Sequence, residues 1–202
     1  MKDLSLHLLD ILENPVRAGA TAVVVAFDWE EGLLVLTIDD NGPGFPPEVS
    51  DDPTDPFRTT RTERPVGLGL PLLRDAAEQT GGSLLLARAP SGGVRVQARF
   101  DMRHIDAKPL GDLAGALVTA LLSWPGVDLV VRVQGEEVLD TVAVRCELDG
   151  VPLHEPAVRQ FLERILTEAT APLHAWADST SEQDWNQGAH PVGGVTPNHV
   201  GS

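Results

Sequence analysis

The chain has 202 residues, with 30 acidic against 15 basic for a net charge of -15, and 42% of its residues are apolar. That length allows one generous domain or two small ones with a real core, and the acidity argues against nucleic acid or an anionic membrane as a primary partner. A single cysteine, Cys146, rules out an internal disulfide; no apolar run approaches about 18 residues and no signal-peptide pattern opens the chain, so the expectation is a cytoplasmic protein.

Residues 3 to 19 read as a first helix. Leu4, Leu8, Ile11 and Leu12 make its apolar side, while Asp3, His7, Asp10, Asn14 and Arg17 recur at spacings of three and four, and Gly19 supplies a stop. Pro15 deletes one helical hydrogen bond and biases Asn14 away from helical angles, so a kink or an irregular turn is expected there. Val23, Val25, Phe27 and Trp29 alternate into a strand, Glu30-Glu31-Gly32 turns, and a second strand runs to Asp39. It closes on Asp39-Asp40-Asn41-Gly42-Pro43-Gly44-Phe45, where two glycines flanking a proline bring bare backbone close to something. From Phe45 to Val66 the chain is rich in Pro and Asp and has no period, as expected of a lid or a disordered loop. Gly67-Leu68-Gly69-Leu70-Pro71 opens a second helix that Gly81-Gly82 ends, and two strands follow, Ser83 to Ala89 and Val94 to Phe100.

After Met102 the pattern restarts. Leu110, Leu113, Ala114, Leu117, Val118, Leu121 and Leu122 follow a helical stripe, and Val127, Leu129, Val131 and Val133 alternate. Gly135-Glu136-Glu137 turns, Val142, Val144, Cys146 and Leu148 alternate back, and Pro156 starts a helix with Val158, Phe161, Leu162, Ile165 and Leu166 on one side. This predicts an α-β-β-α unit over residues 102–171, docked on a first domain over 1–101. Cys146 falls on its apolar strand side, and from Pro172 onward the lack of period predicts a disordered tail, 172–202.

In order, Asn14 on its helical stripe, the Asp40 run, Thr54-Asp55-Pro56-Phe57-Arg58-Thr59-Thr60-Arg61 and Gly67-Leu68-Gly69-Leu70 resemble the N, G1, F and G2 boxes of the GHKL ATP-binding superfamily. That superfamily includes gyrase B, Hsp90, the MutL proteins and histidine kinases. The resemblance covers residues 3 to 101, and His104-Ile105-Asp106 with Lys108-Pro109-Leu110-Gly111-Asp112 looks like small standalone bacterial proteins related to sensor kinases. It implies an α+β fold, a two-layer α/β sandwich of Bergerat type, with the α-β-β-α unit appended.

The resemblance also implies roles. Asp40 would accept a hydrogen bond from the adenine amine, where guanine presents a carbonyl, with Gly42 and Gly44 letting the backbone pass under the base. Asp39 points to the opposite face. Asn14 would hold Mg²⁺ between the phosphates; Arg17, one turn on, could touch a phosphate oxygen. Asp10 falls where gyrase-like and MutL-like members carry the glutamate that activates water, although it is one methylene shorter; an exposed first-helix acid is its plain alternative. Phe57 would anchor a lid whose Thr59, Thr60 and Arg61 reach toward phosphates, and Gly67, Leu68, Gly69 and Leu70 would offer amides to a phosphate at a helix N-terminus. Two departures stand out. Val94 replaces the Thr that follows the glycine in many members, and Pro15 replaces a small helix-former after Asn14. The expected function is binding of Mg-ATP under the lid, with slow hydrolysis or transfer of the γ-phosphate to a partner protein. The alternative is a non-catalytic ATP-dependent switch or adaptor acting through the C-terminal unit.

Overall fold

The computed structural model describes residues 2–44 and 68–187, with side chains in the last helix described as far as Thr180. Helix α1 (Leu4–Ala18) starts at Asp3, whose carboxylate accepts from the Leu6 amide and the Ser5 hydroxyl at 3.1 and 2.7 Å. It ends at Gly19, which adopts φ of +89°, a left-handed cap that a side chain would strain. Asn14 and Pro15 lie inside a continuous helix, where the sequence led us to expect an irregular turn. Pro15 sits in the last turn, and its carbonyl is taken up by the Ala20 amide at 2.9 Å, which anchors the chain just past the proline.

Strands β1 (Ala22–Glu30) and β2 (Leu33–Asp40) form a hairpin across the two-residue turn Glu31-Gly32, both at positive φ. Helix α2 (Gly69–Glu78) carries Pro71 in its first turn and is followed by β3 (Ser83–Arg88) and β4 (Val94–Asp101). Helix α3 (Leu113–Ser123) leads to β5 (Asp128–Val133), β6 (Glu136–Asp140), the short helix α4 (Thr141–Glu147) and the long helix α5 (Pro156–Gln187).

All six strands belong to one mixed sheet, ordered β3-β4-β2-β1-β5-β6, in which β5 runs parallel to β1 and the other neighbours are antiparallel. Among the described residues, those after 102 therefore build no second sheet; they widen the first. Helices α2, α1, α3 and α5 lie side by side over one face, with α1 packed between α2 and α3 and α3 packed between α1 and α5. The result is the α+β two-layer sandwich expected. Strand alternation drives the burial: Val25 faces Ile38 and Phe27 faces Leu36 across the hairpin, and with Val23 and Leu34 they lie buried under the helices. Each such side chain contributes about 1.5–3 kcal/mol on burial.

Two expectations are corrected. Val142, Val144 and Cys146 lie in helix α4, not a strand; Asp140 caps it by accepting from the Val142 amide at 2.8 Å, and Cys146 is exposed. An alternation this short fits either period, and the cap decides it. Arg145 secures α4 by its ion pair with Asp128 and a 3.0 Å bond to the Pro125 carbonyl. The second correction is the tail. Helix α5 continues past Pro172 to Gln187, with Leu173 and Ala177 buried and Trp176 packed on Trp29 at 5.9 Å between ring centroids. Those tertiary contacts offset the hydrogen bond that Pro172 removes. Residues 188–202 lie outside the described residues. Among the described residues no helix is long and apolar enough to cross a membrane.

Candidate functional site

Asp40 ends β2 on the face shared by Leu34, Leu36 and Ile38, and is only 8% exposed. Its neighbour Asp39 points to the opposite face, where the Arg95 guanidinium grips it through two bonds of 2.7 and 2.5 Å. A buried carboxylate needs donors, and Asp40 finds them in the backbone: Oδ1 accepts from the Gly42 amide at 2.7 Å and the Val94 amide at 3.2 Å. Oδ2 takes no hydrogen bond among the described residues. The turn that follows is clipped to the start of β1, because the Asn41 side-chain oxygen accepts from the Thr21 and Ala22 amides, each at 2.9 Å.

Close approach explains the glycines. A Cβ on Gly42 would lie 3.0 Å from Asp40 Oδ1, and one on Gly93 would lie 2.0 Å from the same oxygen. Gly44 adopts φ of +79°. Gly42 also lies beside Ala20, just beyond the end of α1, so the Asp40 turn and the first helix meet.

On α1, Asn14 is half-buried and Asp10 exposed, and neither side chain makes a hydrogen bond among the described residues. Arg17 turns to Glu13, one helical turn back, at 3.6 Å. The start of α2 rests on the same helix: a Cβ on Gly69 would be 3.4 Å from Asp10 Cβ and from Ile11 Cδ1. Leu68 stands at the cap position without a side-chain hydrogen bond, and Leu70 is half-buried. The early amides of α2 therefore lack a side-chain acceptor at the cap. The structure thus joins Asp10 to Gly69, and Asp40 to Gly42 and Gly93. Thr59, Thr60, Arg61 and Gly67 lie outside the described residues.

His7, also on α1, is 2% exposed, and neither ring nitrogen has a hydrogen-bond partner among the described residues. Burial pushes its pKa below the usual histidine value; Lys108 and the N-terminus add to this, and Asp10 and Asp3 oppose it. Sequence reasoning missed Asn41, Ser91 and Gly93. The Gly92-Gly93 pair was the available signal, but it reads as an ordinary turn. Val94, noted for the hydroxyl it lacks, serves Asp40 through its backbone.

Residues 2–104, just over half of the chain, match the family model described as histidine kinase-, DNA gyrase B-, and HSP90-like ATPase. The chain belongs to this family. Among curated relatives, it is 34% identical over 105 residues to the sensor protein kinase CarS of Pseudomonas aeruginosa, covering 50% of this chain and 23% of CarS. It is 37% identical over 94 residues to the sensor protein CutS of Streptomyces coelicolor, covering 43% of this chain and 23% of CutS. The chain thus spans less than a quarter of the length of these relatives. Among solved structures, it is similar to the ATP binding domain of PrrB from Mycobacterium tuberculosis, with 28% identity and a TM-score of 0.37 over 48% of this chain and 67% of that one. It is also similar to the Aquifex aeolicus MutL ATPase domain complexed with ADP, with 15% identity and a TM-score of 0.48 over 69% of this chain and 63% of that one.

Proposed function

We propose that this ATPase-family domain binds ATP with Mg²⁺, Asp40 reading the adenine amine. The observation that carries the reading is the buried Asp40 carboxylate: two backbone amides hold Oδ1, and Oδ2 is left without a donor among the described residues. An amine is the ligand group that such an oxygen favours, and the carbonyl of guanine is one it repels. Phosphates then lie toward α1 and the start of α2, where the cap position offers no competing acceptor.

The residues fit Mg²⁺ in a limited way. Asn14 offers one neutral oxygen that no hydrogen bond among the described residues uses, while no group of three or more His, Cys, Asp or Glu there could hold a metal. That suits an ion that keeps most of its shell in phosphate and water. When bound, Mg²⁺ supplies charge neutralisation between the phosphates. Asn14 would orient it, Arg17 would leave Glu13 for a phosphate oxygen, and Thr59, Thr60 and Arg61 are read from the sequence as the lid's phosphate contacts. Asp10, beside Gly69, is the candidate base for slow hydrolysis; transfer of the γ-phosphate to a partner protein is the other outcome of the same site. A second reading, a non-catalytic switch acting through the C-terminal unit, is favoured by Asp10 itself, which no neighbour among the described residues orients.

Calorimetric titration with ATP and GTP, with and without Mg²⁺, tests the proposal. ATP should bind, GTP should bind far more weakly, and Asp40→Asn should cost about 1–3 kcal/mol for ATP, because a donor amide then competes for the acceptor's place. Unchanged ATP affinity in Asp40→Asn would remove Asp40 from the site.

A further inference from the structure

Resting on the reading of Asp40 as the amine acceptor, we propose that Ser91, in the turn between β3 and β4, is a positioning residue that sets base selectivity by holding the Asp40 backbone. Its hydroxyl donates to the Asp40 carbonyl oxygen at 2.6 Å, across 51 positions of sequence. The same turn presses on Asp40 at two further points. The Val94 amide donates to Oδ1 at 3.2 Å, and Gly93 sits so close that a Cβ would lie 2.0 Å from Oδ1 and 2.5 Å from the carbonyl oxygen. Asp40 is thus gripped at its carboxylate by backbone amides alone and at its peptide by the Ser91 side chain. Among the described residues that hydroxyl is the one side-chain group bonded to Asp40.

The turn does not depend on that hydroxyl for its own shape. The Ala89 amide bonds the Gly93 carbonyl and the Gly92 amide bonds the Ala89 carbonyl, both at 3.0 Å, with Gly92 at φ of +103°. The same peptide stays anchored at its other end, where the Asn41 amide donates to the Ala22 carbonyl at 3.2 Å, so removing the Ser91 hydroxyl leaves the hairpin closed and lets only the carbonyl end of the Asp40 peptide rotate about that remaining bond. Rotation there swings the carboxylate, and a hydrogen bond weakens steeply with angle. The loss should fall on the ligand's amine and spare contacts made by ribose and phosphates.

A cycle between the side chain and the ligand's amino group reads this directly. ATP and purine riboside triphosphate, which lacks the 6-amino group, are titrated into wild type, Ser91→Ala and Ser91→Thr. In Ser91→Ala the ATP affinity should fall roughly three- to tenfold while the analogue's affinity stays put. Ser91→Thr, which keeps a hydroxyl, should restore ATP binding. Equal losses for both ligands, or no loss for either, would overturn the role of Ser91 while leaving Asp40 in place. Wild type binding both ligands equally would overturn the Asp40 reading and this proposal together, and it would show before any variant is made.

Discussion

Asp10 and Asp40, both assigned to the proposed nucleotide site, have surroundings that equip them for different work. Asp40 is immobilised by amides, as suits a group that selects a ligand by shape and polarity. Asp10 is exposed on α1 against Gly69, with nothing among the described residues to aim its lone pairs. A general base must reach its proton within hydrogen-bond distance, so in the proposed hydrolysis Asp10 would be aimed only by the nucleotide and the water it brings. We expect wild-type hydrolysis well below the roughly 10 s⁻¹ typical of enzymes. Asp10→Asn should reduce it roughly 10²–10⁴-fold while leaving nucleotide affinity unchanged, as phosphate release and calorimetry would show. Turnover that is equal in wild type and Asp10→Asn would leave the base elsewhere.

At the level of elements, α1 carries Asn14 and Asp10 and also buries His7 without a hydrogen-bond partner among the described residues. Because burial lowers the folded pKa of His7 while the unfolded chain keeps a value near 6.5, protons bind the unfolded state more readily. The neutral form's full contribution therefore holds above about pH 6.5 and is lost as pH falls from there through the lowered folded value. Asp3 and Asp10 soften the loss, and Lys108 and the N-terminus sharpen it. The thermal midpoint should drop between pH 7 and pH 5, and His7→Leu should flatten that slope; an unchanged slope would assign it to other groups. The same helix shows what a sequence discloses. Its stripe, the β1–β2 hairpin and the apolar face of α3 were legible, because period and caps are local signals. Helix α4 was not, since its alternation is too short to select a period, and the end of α5 was not, since Trp176 is ordered by Trp29 from the far side of the chain. Asp40 could be read as a candidate site residue from its own motif. Ser91 could not, because its only claim is a contact made in three dimensions.

For the whole molecule, the sheet decides where the chain can be divided. The amides of Leu4 and Ser5, opening α1, donate to the carbonyls of Pro109 and Leu110, both at 3.0 Å, and α3 covers one flank of that helix. A fragment ending at Asp106 would lose those acceptors, expose the β1 edge that β5 now pairs, and bare Leu12 and Val23. We predict that residues 1–106 alone show no cooperative melting transition by circular dichroism. A fragment that melts cooperatively and binds ATP as the full chain does would establish residues 1–106 as a self-sufficient domain.

The parallel pairing of Val23 with Leu129 also imposes an order in time. The strand at the centre of the sheet is made early and finds its second neighbour on the order of a hundred residues later, a contact of high sequence separation that is slow to form. At about 5–20 residues per second of synthesis, the nascent chain carries β1 with one edge bare for roughly 5–20 s before β5 exists to cover it. During that interval the edge of β1 is a template for any other extended chain, and it is when a chaperone or an early nucleotide would matter most to the yield of folded protein.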